Sequence, residues 1–162
     1  INMKAYACLS PRCDEDVFKK FCKEFGFKPV AFHGFQTYEG KRAAIYHTNV
    51  MMALGEAFAV VCLSAIDDLT ERAALVKELQ GDGKEIIDVT EDQSNNFAGN
   101  EIELCNADGK RFTIMTKATY DCLTPEQRAV IEKTSEIISP DVKTIETYGG
   151  GSVRCMISEI FL

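Results

Sequence analysis

One order of local signals recurs along this chain and limits its folds more than any single residue does. Residues 43–54 are apolar with polar interruptions, residues 57–63 are almost wholly apolar, and Gly55-Glu56 between them reads as a tight hairpin turn. Asp67-Asp68 then supplies acids where a helix start favours them. That helix runs through Leu79, and Gly81-Asp82-Gly83 stops it before a strand at 84–89. The same order returns over residues 101–147. Strands at 101–105 and 111–116 flank Asn106-Ala107-Asp108-Gly109-Lys110, a strong hairpin signal. Thr124-Pro125-Glu126-Gln127 opens a helix that runs to about Lys133, with Thr at the N-cap, Pro in the first turn and Gln three residues on. Extended pieces follow at 137–138 and 143–147.

The first 33 residues fit the tail of a third such unit. A strand at 4–9 is broken by Ser10-Pro11. A helix then carries Val17, Phe18, Phe21, Cys22 and Phe25 at helical spacing to its stop at Gly26, and a strand follows at 28–33. A short helix at 91–97 and a last strand at 153–161 complete the reading. Hairpin, helix and strand in this order predict an α/β fold of repeated ββαβ modules. The repeat is one of pattern, not of residues, and no Pro-rich or Ser-rich linker divides residues 1–162.

Composition removes several function classes. A net charge of −7 argues against a nucleic-acid partner, which needs a basic face. The longest apolar run, residues 57–66, is strand-sized and far short of a bilayer span, so no membrane partner is expected. No basic start followed by an apolar segment marks a secretory signal. The seven cysteines include no C-x-x-C pair, which removes zinc-ribbon and thioredoxin-like readings. They fit a reducing cytoplasm with mostly buried thiols, and their odd number leaves room for one with a chemical task. Ile1 stands close to a strand, as expected of a fragment or a processed product.

Three places carry polar residues where structure alone asks for few. His33 beside Gly34 reads as a structural histidine at a strand end. His47 sits in Tyr46-His47-Thr48-Asn49-Val50, a polar interruption of an apolar strand. Strand alternation puts His47 and Asn49 on one face, where they either satisfy neighbours or line a site. Asn95-Asn96-Phe97-Ala98-Gly99-Asn100 reads as a capped helix exit or as a binding loop. Cys155 follows Gly149-Gly150-Gly151, whose conformational freedom serves a turn or a ligand. A cysteine and a histidine together make a general nucleophile–base pair, here 108 positions apart in the chain.

Taken together, the stretches IYHTNVMMALGEAFAVVCL, NNFAGNEIELCNADGKRFTIMTKATYDCLTPEQ and TIETYGGGSVRCMISEIFL resemble the guanidine-modifying superfamily. It comprises arginine deiminases, dimethylarginine dimethylaminohydrolases and amidinotransferases, and the likeness is strongest to the amidinotransferase-like branch that hydrolyses citrulline. The resemblance implies an α/β-propeller (pentein) of ββαβ modules, of which this chain would be about half. It implies Cys155 as nucleophile and His47, in an H-x-D or H-x-N motif, as acid and base. Substrate contacts are implied at Asn49, Asn100, Gly150 and Gly151, with no metal and no cofactor. Asn49 stands where arginine-directed members carry Asp, and an amide, both donor and acceptor, suits a neutral ureido group. The activity implied is hydrolysis of a citrulline- or arginine-type amino acid. A dimethylarginine-type hydrolase, an amidinotransferase and a non-catalytic module that keeps the fold are the alternatives. No Glu matches the family's E-G-T/G motif from its N-terminal half. The resemblance therefore implies a C-terminal half that is inactive alone and completed by the N-terminal half or by another copy.

Overall fold

The computed structural model describes residues 3–38 and 40–160. Strand β1 (Lys4–Leu9), helix α1 (Glu15–Phe25) and strand β2 (Lys28–His33) form the first unit, with β1 and β2 parallel. Strands β3 (Phe35–Tyr38) and β4 (Lys41–Ala44) make an antiparallel hairpin. The second unit is β5 (Met52–Leu54), β6 (Phe58–Val61), α2 (Leu69–Gly81) and β7 (Glu85–Asp88). Its first two strands are antiparallel, and its last runs parallel to β6. After α3 (Glu91–Asn95), the third unit repeats this plan with β8 (Ile102–Cys105), β9 (Arg111–Ile114), α4 (Lys117–Cys122), α5 (Pro125–Glu132) and β10 (Glu136–Ile138). Helices α6 (Lys143–Gly149) and α7 (Val153–Met156) follow. The strands of the described residues fall into four small sheets, ordered β1-β2, β3-β4, β5-β6-β7 and β10-β9-β8.

The units are joined by their helices. Helix α2 packs on β7 of its own unit and on β2 of the one before, and α5 packs likewise on β10 and β7. Leu75 and Leu79, one turn apart on α2, are sealed in the core with Phe32, Phe58, Val60 and Val61. Burying each leucine contributes about 2 kcal/mol. The helix starts obey local chemistry. Asp68 caps α2 through the amides of Thr70 and Glu71, and Thr124 with Gln127 forms a reciprocal capping box on α5.

Three expected segments differ. Residues 43–54 are not one strand. The Thr48 hydroxyl accepts the Cys8 amide, and the chain turns through a 3-10 helix at Thr48–Val50, so His47 and Asn49 do not share a strand face. Residues 143–147 are helical, not extended, because Asp141 accepts the Lys143 amide and Val142 accepts from Ile145 and Glu146. The last strand is replaced by the helical turn α7, whose Arg154 amide is taken by Asn100 rather than by a neighbouring strand. Its expected end at residue 161 lies outside the described residues.

Candidate active site

Three loops meet at the Cys155 sulfur. The first is the turn at His47–Val50. It is pinned from below, where the Cys8 amide donates to Thr48 Oγ1 at 2.9 Å and the Ile45 amide donates to the Gly34 carbonyl at 2.8 Å. Gly34 is required for that fit, since a Cβ there would lie 2.9 Å from the Cys8 sulfur. The turn leaves His47 exposed, its ring edge-on to Tyr46 at 4.8 Å.

The second loop follows α3. Phe97 takes a left-handed conformation (φ 66°), and Gly99 lies against the backbone of residues 50–52, where a Cβ would come within 2.6 Å of the Met52 nitrogen. That packing presents Asn100, itself buried. Asn100 Nδ2 donates to the Asn49 carbonyl at 3.2 Å and to the Cys155 sulfur at 3.3 Å, while its Oδ1 accepts the Arg154 amide at 3.1 Å and lies 3.8 Å from the sulfur.

The third loop holds the thiol. Helix α6 ends at Gly150, left-handed at φ 67°, and Ser152 is braced by Glu146, which accepts its hydroxyl at 2.9 Å. A side chain at Gly151 would press on the Cys155 Cβ at 3.2 Å. Two of the three glycines therefore have distinct tasks, one to cap a helix and one to let the chain pass close to the thiol. Asn49 Nδ2 also donates to the Cys155 sulfur, at 3.5 Å. Two amide donors thus converge on one exposed sulfur.

His47, Asn49, Asn100, Gly150, Gly151 and Cys155 all line one cleft of about 190 Å³. All six candidate residues read from the sequence are brought together. His33 is not among them. Its Nδ1 pairs with Glu71 at 2.9 Å on the outer surface. The cleft is also lined by Gln36, Tyr46, Ser94 and Phe97, which sequence reasoning did not single out as site residues. Gln36 comes from the β3–β4 hairpin, and nothing in its local sequence signals a site.

The family model for eukaryotic N,N dimethylarginine dimethylhydrolase matches residues 1–162. The chain belongs to that family. No curated protein sequence gives a significant match. Among solved structures, this family member resembles the apo form of ArgZ, an arginine dihydrolase from the ornithine-ammonia cycle in cyanobacteria, with a TM-score of 0.69 at 14% identity. That match covers 99% of this chain and 23% of ArgZ. A mutant N-terminal domain of ArgZ, covalently bound to a reaction intermediate, gives a TM-score of 0.66 at 15% identity, covering 95% of this chain and 50% of that domain. AgrE, in a ternary complex with ornithine and NAD+, gives 0.66 at 15% identity, covering 99% and 21%. The chain thus spans about a quarter of whole ArgZ and about half of its N-terminal domain, and shares the mixed α/β fold of that domain.

Proposed function

We propose that this chain carries the nucleophile of a cysteine-dependent hydrolase that acts on the ureido or guanidino group of a citrulline- or arginine-type amino acid. The observation that carries the reading is the pair of amide donors, Asn49 and Asn100, on the Cys155 sulfur in a cleft that His47 also lines. The Cys155 thiolate attacks the central carbon of the group, forming a C–S bond. The C–N bond to the departing amine breaks as His47 protonates its nitrogen. His47 then takes a proton from water, whose oxygen attacks the thiouronium or thiocarbamate carbon, and the sulfur leaves as thiolate.

Asn49 supports citrulline as substrate, because a neutral ureido group both donates and accepts. The family match favours dimethylarginine as the competing substrate. The repeated ββαβ units and the half-domain coverage support a reading as the C-terminal half of an α/β-propeller, completed by the N-terminal half or by another copy. The seven unpaired cysteines suit a reducing, cytoplasmic setting.

The test is release of ammonia or dimethylamine from citrulline, arginine and dimethylarginine by the intact protein, with Cys155→Ser as the control. A chloroacetamidine electrophile should label Cys155 ahead of the other six thiols. No product from any of the three substrates, together with indiscriminate labelling, would favour a non-catalytic module instead. Asn49→Asp should move preference from citrulline toward arginine by about tenfold, the effect of exchanging a neutral for a charge-assisted hydrogen bond. An unchanged ratio would sink that assignment.

A further inference from the structure

Glu101 follows Asn100 in the chain and has no place in the chemistry above. Its side chain is sealed in the interior, with the residue only 3% exposed, and among the described residues neither carboxyl oxygen has a hydrogen-bond partner. A buried carboxyl without a donor is tolerable when neutral and very costly when charged. Burial accordingly pushes Glu101 up to about 8. Cys122, at the end of α4, lies within electrostatic reach of it, and Lys4, Tyr6, Glu103, Arg154 and Glu159 line a cleft with Glu101. The Cys122 thiol is pushed up to about 11 by its own burial first and by the Glu101 charge in smaller part.

The position matters because of what the neighbouring residues do. Ala98 and Asn100 are buried, and Gly99 is wedged against the Val50 carbonyl and the Met52 amide. The strap Phe97–Glu101 therefore leans on the turn that carries His47 and Asn49. Through Asn100 it holds the Asn49 carbonyl, the Arg154 amide and the Cys155 sulfur at once.

We propose that Glu101 is a positioning residue of this site: as a neutral acid it seats the strap that brings Asn100 to the Cys155 sulfur, and on ionisation it unseats that strap. A carboxylate sealed without a donor gains by reaching water. The movement that exposes it displaces Asn100, its neighbour in the chain, and both the Asn100 donor on the sulfur and the tie to Asn49 are lost together. The proposal rests on Cys155 being the nucleophile.

The experiment follows the rate of Cys155 alkylation by chloroacetamidine, and kcat on the preferred substrate, from about pH 6 to about pH 10. The intact wild-type protein is compared with Glu101→Gln, and with Glu101→Met should the glutamine variant fail to fold. The wild type should lose about tenfold per pH unit above its break near 8, as a single ionisation requires. The neutral variants should lack that falling limb while matching the wild type at neutral pH. Superimposable profiles, or a wild type with no falling limb, would overturn the role of Glu101. Labelling spread over all seven thiols at neutral pH would instead remove the nucleophile reading, and this inference with it.

Discussion

At the scale of single residues, the cleft carries its own strain. Phe97 holds φ at 66°, a conformation that costs a bulky residue about 1–2 kcal/mol, and it does so on the wall of the cleft. Asparagine adopts that conformation readily. Phe97→Asn is therefore expected to change stability by less than about 1 kcal/mol, with the relieved strain offsetting the lost apolar area. The lost aromatic wall should appear as a severalfold higher KM with a nearly unchanged kcat. Chemical denaturation and steady-state kinetics on one preparation test both halves, and an unchanged KM would remove Phe97 from the substrate's surroundings. Asn100→Ala should act differently, lowering kcat by about a hundredfold, because it deletes a donor aimed at the reacting sulfur. His47 and Asn49 stood out as polar residues interrupting an apolar run, Cys155 through the glycines before it, and Asn100 through the family resemblance. Glu101 did not stand out. A lone glutamate in a sequence reads as an ordinary surface charge, and only tertiary packing makes this one an orphan.

At the scale of elements, the helix caps read well, whereas residues 143–147, helical through local bonds to Asp141 and Val142, read as extended. The capping box of Thr124 and Gln127 and the Asp68 cap stand as the spacing predicts. Thr124→Ala should cost about 1 kcal/mol of unfolding free energy, measurable by urea denaturation. Where a segment's hydrogen bonds go to distant partners, the reading failed. The Thr48 hydroxyl is claimed by Cys8 and the Arg154 amide by Asn100, so one expected strand became a turn and another a helix. Helix α4 went unread for a related reason. Its Thr116 cap is plain, but six residues are too few for an amphipathic period to show. The strap after α3 offers a sharper test of element placement. Gly99→Ala would force its Cβ into the backbone at Val50 and Met52, so it should cost about 1–3 kcal/mol and weaken Cys155 labelling together. A stable variant with normal labelling would show that the strap can shift without consequence.

At the scale of the whole molecule, the packing rule seen twice breaks at one end. Helices α2 and α5 each rest on the last strand of their own unit and on that of the unit before. Helix α1 rests on β1 and β2 of its own unit, and the face it turns away carries Val17, Phe21 and Phe25 in the open. The Phe21 ring meets Phe25 at a tilt with centroids 4.8 Å apart and stacks with Phe27 at 6.0 Å, so these rings form one apolar surface. The sequence showed this helix clearly as amphipathic, and helical periodicity alone implies that its apolar stripe is covered. The stripe is open here, as the proposed half-propeller requires of the face that would meet a further module. A surface of this kind drives association when left bare. The chain by itself should bind a hydrophobic dye and sediment as a concentration-dependent mixture. Phe21→Lys with Phe25→Lys should abolish dye binding and give a monodisperse species, with little change in unfolding free energy because both rings are already exposed. Were the unaltered chain monomeric and dye-negative at high concentration, α1 would not be the seam, and the proposed further module would have to meet the chain elsewhere.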